Sequence, residues 1–166
     1  MKLELKHLAP YLPYGLNIYN SAFMFRSNWN ENEIGVMIGV TDNIQNETFD
    51  IVMIRERDKY KLQDSRNHFK PVLRPLSDLT KEIDYGLSTY SFIDLFEIGD
   101  CDGCVYEFEH GNIKTIESLE SISRHNSYND INYLPSAVVN MMIEYHFDVF
   151  GLIEQNLAID INTLNR

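Results

Sequence analysis

The chain has 166 residues, of which 44% are hydrophobic and 12% aromatic, and its formal net charge is −11. We expect one domain over residues 1–166, because a chain of this length buries roughly 70% of its unfolded surface without metals or disulfides. The acidic balance excludes general binding to DNA or RNA, since counterion release needs a basic face. No stretch approaches the ~18 apolar residues of a membrane span, so no membrane insertion is expected. The absence of an apolar leader and the presence of only two cysteines predict a cytoplasmic protein.

Strand signals dominate the first part of the chain. Ile34–Thr41 and Thr48–Arg55 are rich in β-branched and aromatic residues, and the Asp and Asn residues between them are typical of a turn. These two stretches therefore predict a β-hairpin. Shorter strands are predicted at Leu16–Tyr19, Ala22–Phe25 and Val105–Glu109.

Helix signals become stronger towards the carboxyl end. A short helix is predicted over Leu79–Tyr85, because Ser77 or Asp78 suits its amino end and Gly86 suits its carboxyl end. The stretch Glu117–Arg124 is a further helical candidate.

The longest predicted helix begins at Pro135, which suits a first helical position. Apolar residues recur at helical spacing up to Phe150 over a band wide enough to be buried on more than one side, and Gly151 suits the end. The alternation from Leu157 to Ile161 then predicts a short extended segment. Strands first and the best helix last predict an α+β domain in which an antiparallel sheet packs against a buried C-terminal helix.

Half of the positive charge lies in residues 55–74, which carry seven of the 14 lysines and arginines. Arg74 precedes the predicted helix start at Ser77, and a guanidinium beside a helix amino terminus is suited to binding an anion or phosphate. Other residues of this predicted ligand site are Arg66, Lys70, His68, Tyr60 and Trp29. The alternative is a solvated loop in which Arg74 forms a structural salt bridge.

Catalytic motifs are weak by comparison. His146, Asp148 and Asp160 are candidates for a metal-dependent hydrolase, although a core histidine explains His146 more simply. The pair Cys101 and Cys104 lacks the second ligand pair of a zinc site. No fingerprint of a phosphate-binding loop, zinc protease or dinucleotide fold occurs. We therefore predict no metal, no cofactor and no catalytic residues.

Three segments carry a resemblance to a known group of proteins. They are Leu5–Leu16, Lys70–Ile83, and His146–Ile153 continuing into Leu157–Leu164. In these segments the sequence resembles small uncharacterised proteins of Bacteroidetes bacteriophages and prophages. The resemblance implies a phage accessory protein in the cytoplasm of a bacterial host, and it implies no chemistry.

These observations predict a non-enzymatic protein that acts by binding, with counter-defence as its biological role. It either blocks a host protein, using its acidic surface against a basic partner, or sequesters a small anionic, nucleotide-type signal. Two alternatives remain open, the metal-dependent hydrolase and a virion or assembly component that self-associates as a homo-oligomer.

Overall fold

A computed structural model of the chain describes residues 3–20, 33–43, 48–54, 61–64, 69–85, 88–97 and 111–164. The α-helices and β-strands of these residues are α1 (Leu5–Leu8), β1 (Asn17–Asn20), β2 (Ile34–Asn43), β3 (Thr48–Ile54), β4 (Lys61–Asp64), β5 (Phe69–Leu73), β6 (Glu82–Tyr85), β7 (Ser88–Ser91), α2 (Asp94–Glu97), α3 (Gly111–His125), α4 (Ser136–Glu144) and β8 (Ile159–Asp160). The predicted α+β class is confirmed. Two compact units are present, one formed by Met1–Arg74 with Met142–Arg166 and the other by Pro75–Met141.

The first unit contains a six-stranded sheet with the strand order β4-β3-β2-β1-β5-β8. All neighbours pair antiparallel except β5 and β8, which are parallel. The predicted hairpin is confirmed as β2 and β3, and the predicted strand at Leu16–Tyr19 is confirmed as β1. The predicted strands at Ala22–Phe25 and Val105–Glu109 lie outside the described residues.

The two faces of this sheet differ in burial. Side chains on one face, which we call the inner face, are 0–3% exposed. They are Ile18, Met37, Met53, Phe69 and Leu73, which the strand register and the two-residue alternation place on the same side. On the opposite face, Tyr19, Ile34, Val36, Ile54 and Lys70 are half-buried or exposed, whereas Val52 and Val72 are 3% exposed. The inner face is therefore the apolar core of this unit.

The second unit contains a two-stranded sheet of β6 and β7, together with α2 and α3. The prediction of a helix over Leu79–Tyr85 is wrong, because Glu82–Tyr85 pairs with Ser88–Ser91 as an antiparallel hairpin. A 3-10 turn at Leu76–Asp78 precedes it. The amide of Ser91 donates to the Asp94 carboxylate at 2.7 Å, so that Ser91 and Asp94 define the start of α2.

Helix α4 is shorter than predicted. It begins at Ser136 and ends at Glu144, where the sequence predicted an end at Gly151. His146 adopts the left-handed conformation with φ 60°. The amides of His146 and Phe147 donate to the carbonyls of Ile143 and Met142 at 3.0 and 2.8 Å, which is the hydrogen-bond pattern of a Schellman motif.

The helix also buries less of its surface than predicted. Val138, Met142 and Ile143 are buried, whereas Ser136, Asn140 and Glu144 form an exposed stripe with a spacing of four residues. Burial on more than one side was therefore wrong, and α4 is an ordinary amphipathic helix.

The difference between the two faces of the large sheet leads to a stability prediction. Met53→Ala removes a side chain that is 0% exposed, and we expect it to lower the free energy of unfolding by ~2–5 kcal/mol. Ile34→Ala, on the opposite face of the sheet, should cost less than ~1 kcal/mol. Urea denaturation of both variants measures the difference. Equal losses would contradict the assignment of inner and outer faces.

Candidate functional site

The structure brings together two groups of candidate residues that the sequence separated. Arg74, from the predicted anion site, pairs with Phe147 in a parallel bridge at the end of β5. The Arg74 amide donates to the His146 carbonyl, and the Asp148 amide donates to the Arg74 carbonyl, both at 2.8 Å. Arg74 thus lies alongside the residues of the alternative catalytic reading, held there by its backbone.

Of the other predicted ligand residues, the structure describes Lys70. Its ammonium group donates to the side-chain carbonyl of Asn156 at 2.8 Å. Lys70 and Arg74 are both half-buried and four residues apart on extended backbone, so their side chains project to the same side with Cα atoms about 13 Å apart. Two cationic side chains on one side of the strand are suited to binding an anionic ligand. The residues Arg66, His68, Tyr60 and Trp29 lie outside the described part of the chain.

The Asp148 carboxylate accepts hydrogen bonds from backbone amides of the residues that follow it. One oxygen accepts the Leu152 amide and the other accepts the Ile153 amide, each at 2.8 Å, and the residue is 0% exposed. Burial raises the pKa of Asp148, while the hydrogen bonds from the following amides oppose that shift. The carboxylate therefore fixes the turn at residues 146–153, which we call the C-terminal turn.

His146 projects from the start of this turn. Its Nε2–H donates to the Tyr14 carbonyl at 3.1 Å, which places the proton of the neutral imidazole on Nε2. Burial lowers the pKa of His146 in spite of this hydrogen bond, and the Arg74 charge lowers it further. The imidazole is half-buried, so it does not lie in an apolar core. Its hydrogen bond links the C-terminal turn to the segment that contains Tyr14.

Tyr11 is a buried partner of the same turn. Its hydroxyl donates to the Phe147 carbonyl at 2.6 Å, and the side chain is 0% exposed. Burial, followed by the charge of Asp148, raises the pKa of the Tyr11 phenol far above its ordinary value. The phenol thus remains protonated and acts as a hydrogen-bond donor.

The three residues of the hydrolase reading are not gathered into a metal site. The Asp148 oxygens bond amides of the C-terminal turn, while one Asp160 oxygen accepts the amide of Asn162 at 2.9 Å. Within the described residues, no three His, Cys, Asp or Glu side chains are arranged to hold a metal ion. Cys101 and Cys104 lie outside those residues. The Asp148 and Asp160 carboxylates each bond nearby backbone amides, so their proximity in sequence does not bring them together at one metal site.

Sequence reasoning missed the outer face of the large sheet. The register aligns Ile34 with Tyr19 and Tyr19 with Lys70, and it aligns Val36 with Ile54. We call these five residues the outer patch. Ile34 is 44% exposed although its strand, β2, lies inside the sheet between β1 and β3.

A neighbouring isoleucine adds to the exposed apolar surface. Ile38 lies at the irregularity in the pairing of β2 with β3 and is 49% exposed. Apolar residues occupy both alternating positions of β2 around Ile34–Ile38, a pattern that normally predicts burial of both faces. Apolar residues on both faces of β2 are therefore the sequence signal from which an exposed apolar surface could have been predicted.

Comparison with known proteins gives no assignment for the chain. No family model matches it, and searches of curated proteins and of solved structures found no match. None of the described helices is both long enough and apolar enough to span a bilayer. The outer patch and the surroundings of Arg74 are therefore the features on which a functional proposal can be based.

Removal of the Asp148 carboxylate tests its role in the turn. Asp148→Ala leaves two amides without their acceptor in a buried environment, and we expect a loss of ~2–4 kcal/mol in the free energy of unfolding. Asp160→Ala is the matched control, because Asp160 is half-buried and its bonds are exposed, and it should cost ~1 kcal/mol. Thermal or urea denaturation compares the two. A larger effect at Asp160 would contradict the structural role given to Asp148.

Proposed function

We propose that this protein acts by binding another protein and occupying part of its surface, without catalysis. The observation that carries the proposal is the exposure of Ile34 and Ile38 on an interior strand of the large sheet. If a partner covered an isoleucine that is exposed on a central strand, the burial would contribute roughly 25 cal/mol of free energy for each Å² of apolar surface removed from water. Contiguous apolar side chains of this kind are typical of docking surfaces.

The titratable groups of the C-terminal turn also favour binding over catalysis. The Asp148 carboxylate bonds the amides of its own turn, and the Tyr11 hydroxyl donates to a main-chain carbonyl. A general acid or base needs an atom within hydrogen-bond reach of a substrate. The polar atoms of these side chains are instead directed at the backbone that they hold in place.

The proposed partner is a host protein with a basic surface, and the proposed setting is a phage accessory protein engaged in counter-defence in a bacterial cytoplasm. The net charge of −11 supports such a partner, because it attracts basic surfaces at long range and raises the rate of encounter. The outer patch then supplies the short-range apolar contact. The resemblance of three chain segments to phage proteins supports the setting.

The test compares two kinds of exposed apolar residue. The double variant Ile34→Thr with Ile38→Thr keeps β-branched side chains in β2 but makes the surface polar. Leu5→Gln is the matched control, because Leu5 is 45% exposed on α1 and is not part of the sheet. Circular dichroism establishes that each variant is folded.

Native mass spectrometry of the protein isolated from its host identifies the complex, and calorimetry with the purified partner measures the affinity. We expect the double variant to weaken binding at least about tenfold, since a hot-spot side chain contributes more than ~1 kcal/mol. Leu5→Gln should bind like the wild type. The proposal would be overturned by a monomer without a partner, by a homo-oligomer that the double variant leaves intact, or by equal affinities of the wild type and the double variant. A homo-oligomer that the double variant dissociates would instead show that a second copy of this chain, and not a host protein, occupies the surface.

A second candidate function is sequestration of a nucleotide-type signal. Its support is that Lys70 and Arg74 project to the same side of β5 and that both are half-buried. Two cationic residues on one side of a strand, with Cα atoms about 13 Å apart, are suited to a ligand with more than one phosphate. Such a ligand would neutralise positive charge next to the neutral imidazole of His146.

A thermal-shift panel of linear and cyclic nucleotides tests this candidate. We expect stabilisation by a ligand with two or more phosphates, and its loss in Arg74→Ala because the guanidinium charge is removed. Lys6→Ala serves as the control, since Lys6 is exposed and pairs with Glu4 at 2.8 Å. No shift across the panel, or an unchanged shift in Arg74→Ala, would remove the nucleotide reading.

A further inference from the structure

The first described residues of the chain are fastened to the C-terminal turn by side chains. The His7 ring packs against Phe150 with centroids 5.6 Å apart, and the Tyr11 ring meets Phe150 edge-on at 6.2 Å. The Tyr11 hydroxyl donates to the Phe147 carbonyl, and His146 donates to the Tyr14 carbonyl. Helix α1 and the 3-10 turn at Ala9–Tyr14 thus form one segment, residues 3–16, which we call the N-terminal clamp.

His7 is the titratable group at the start of this clamp. It is 3% exposed, and its Nδ1 accepts the Glu4 amide at 3.1 Å. An acceptor nitrogen carries no proton, so the neutral imidazole of His7 has its proton on Nε2. The ring therefore performs two tasks, since it satisfies an amide at the start of α1 and packs on Phe150.

Protonation is incompatible with this arrangement. The added proton would occupy Nδ1 and point at the Glu4 N–H, which turns an acceptor into a second donor and leaves a buried cation. The charges acting on His7 come from its own segment, where Lys6 opposes protonation and Glu4 favours it. Glu4 is already paired with Lys6 at 2.8 Å, and Phe150 offers no charge on the other side.

His146 at the other end of the clamp disfavours a second proton for a different reason. Its Nε2–H bond to Tyr14 survives protonation, but the new cation would lie close to the Arg74 guanidinium. The Tyr11 ring, with its centroid 6.4 Å from that of His146, is a neutral phenol and offers the imidazole no charge. The two imidazoles are therefore neutral while the clamp is closed.

We propose that residues 3–16 form an acid-released clamp, in which proton uptake by His7 detaches α1 and the following 3-10 turn from Phe147 and Phe150. The inference follows from the hydrogen-bond direction at His7 Nδ1 and from the aromatic contacts that hold the ring in place. Release exposes the apolar side of the clamp, including Leu8 and Tyr11, which are 0% exposed when it is closed.

The direction of the pH effect follows from linkage. Burial lowers the pKa of His7 below its ordinary value of 6.5, so the open state takes up protons that the closed state excludes. Closure is therefore fully favoured above pH ~6.5 and weakens as the pH falls below that value. Each pH unit within this window changes the ratio of closed to open clamp by up to about tenfold for one histidine.

Release would also alter the outer patch, a consequence that rests on the proposed function. The clamp ends near Gly15, where a Cβ atom would lie 3.4 Å from the Cγ1 of Val36. Gly15 has φ 65°, a conformation that favours glycine, so its backbone can approach Val36 closely. Detachment of α1 and the 3-10 turn would loosen this contact and enlarge the apolar surface at Val36, while Leu16 stays bonded to the Met37 amide of β2.

Hydrogen exchange read by mass spectrometry at pH 7.5 and pH 5.0, corrected for intrinsic rates, tests the clamp without any partner. In the wild type we expect protection of the α1 and 3-10 amides to fall about tenfold or more, while β2 and β3 keep theirs. His7→Asn places a neutral carbonyl acceptor where Nδ1 lies, and it should remove the pH dependence. His125→Gln, at an exposed histidine in the last turn of α3, should behave like the wild type.

Unchanged protection in the wild type, equal loss in His7→Asn, or simultaneous opening of the whole sheet would overturn the clamp. If His7→Asn does not fold, the wild type still gives the answer through the ¹⁵N shifts of its His7 ring. Nδ1 must be unprotonated at pH 7.5 and must gain its proton together with the loss of protection. Failure to find a protein partner would overturn the proposed function and leave these readouts unaffected.

Discussion

Burying a carboxylate costs several kcal/mol unless hydrogen bonds replace its water, and at Asp148 the protein meets this requirement with the amides of Leu152 and Ile153. Those hydrogen bonds fold residues 146–153 into a turn, and other segments of the chain form hydrogen bonds with the backbone of that turn. Strand β5 bonds to it through Arg74, and the first residues of the chain bond to it through Tyr11. One buried charge thus fixes the surface on which three separate parts of the first unit meet.

These hydrogen bonds explain why His146, Asp148 and Asp160 resemble a catalytic site in the sequence although their side chains do not form one in the structure. A carboxylate that accepts two main-chain amides has its oxygens directed at the backbone, and a histidine that bonds a distant carbonyl is oriented by that bond. The same residues hold structure together efficiently because their charged and polar atoms are matched locally. On the outer side of the sheet, by contrast, the apolar side chains of Ile34 and Ile38 meet water, which is the basis of the proposed function.

The clamp and the outer patch have a common physical origin. Both involve apolar groups packed against the N-terminal clamp, Phe150 against the His7 ring and Val36 against Gly15. The proposed release of the clamp would therefore change the packing at both places.

The sequence by itself determined the α+β class, the β2–β3 hairpin and the existence of a helix after Pro135, because these follow from local periodicity and turn chemistry. It misplaced the end of α4, since a left-handed His146 in the position that glycine usually takes is stabilised by a bond to Tyr14, more than a hundred residues away. Likewise, Glu82–Tyr85 carries helix-like end signals, and only pairing with Ser88–Ser91 makes it a strand. Which face of the sheet is open, and which imidazole holds the N-terminal clamp, was decided by tertiary structure, because burial and hydrogen-bond partners depend on residues that are distant in the chain.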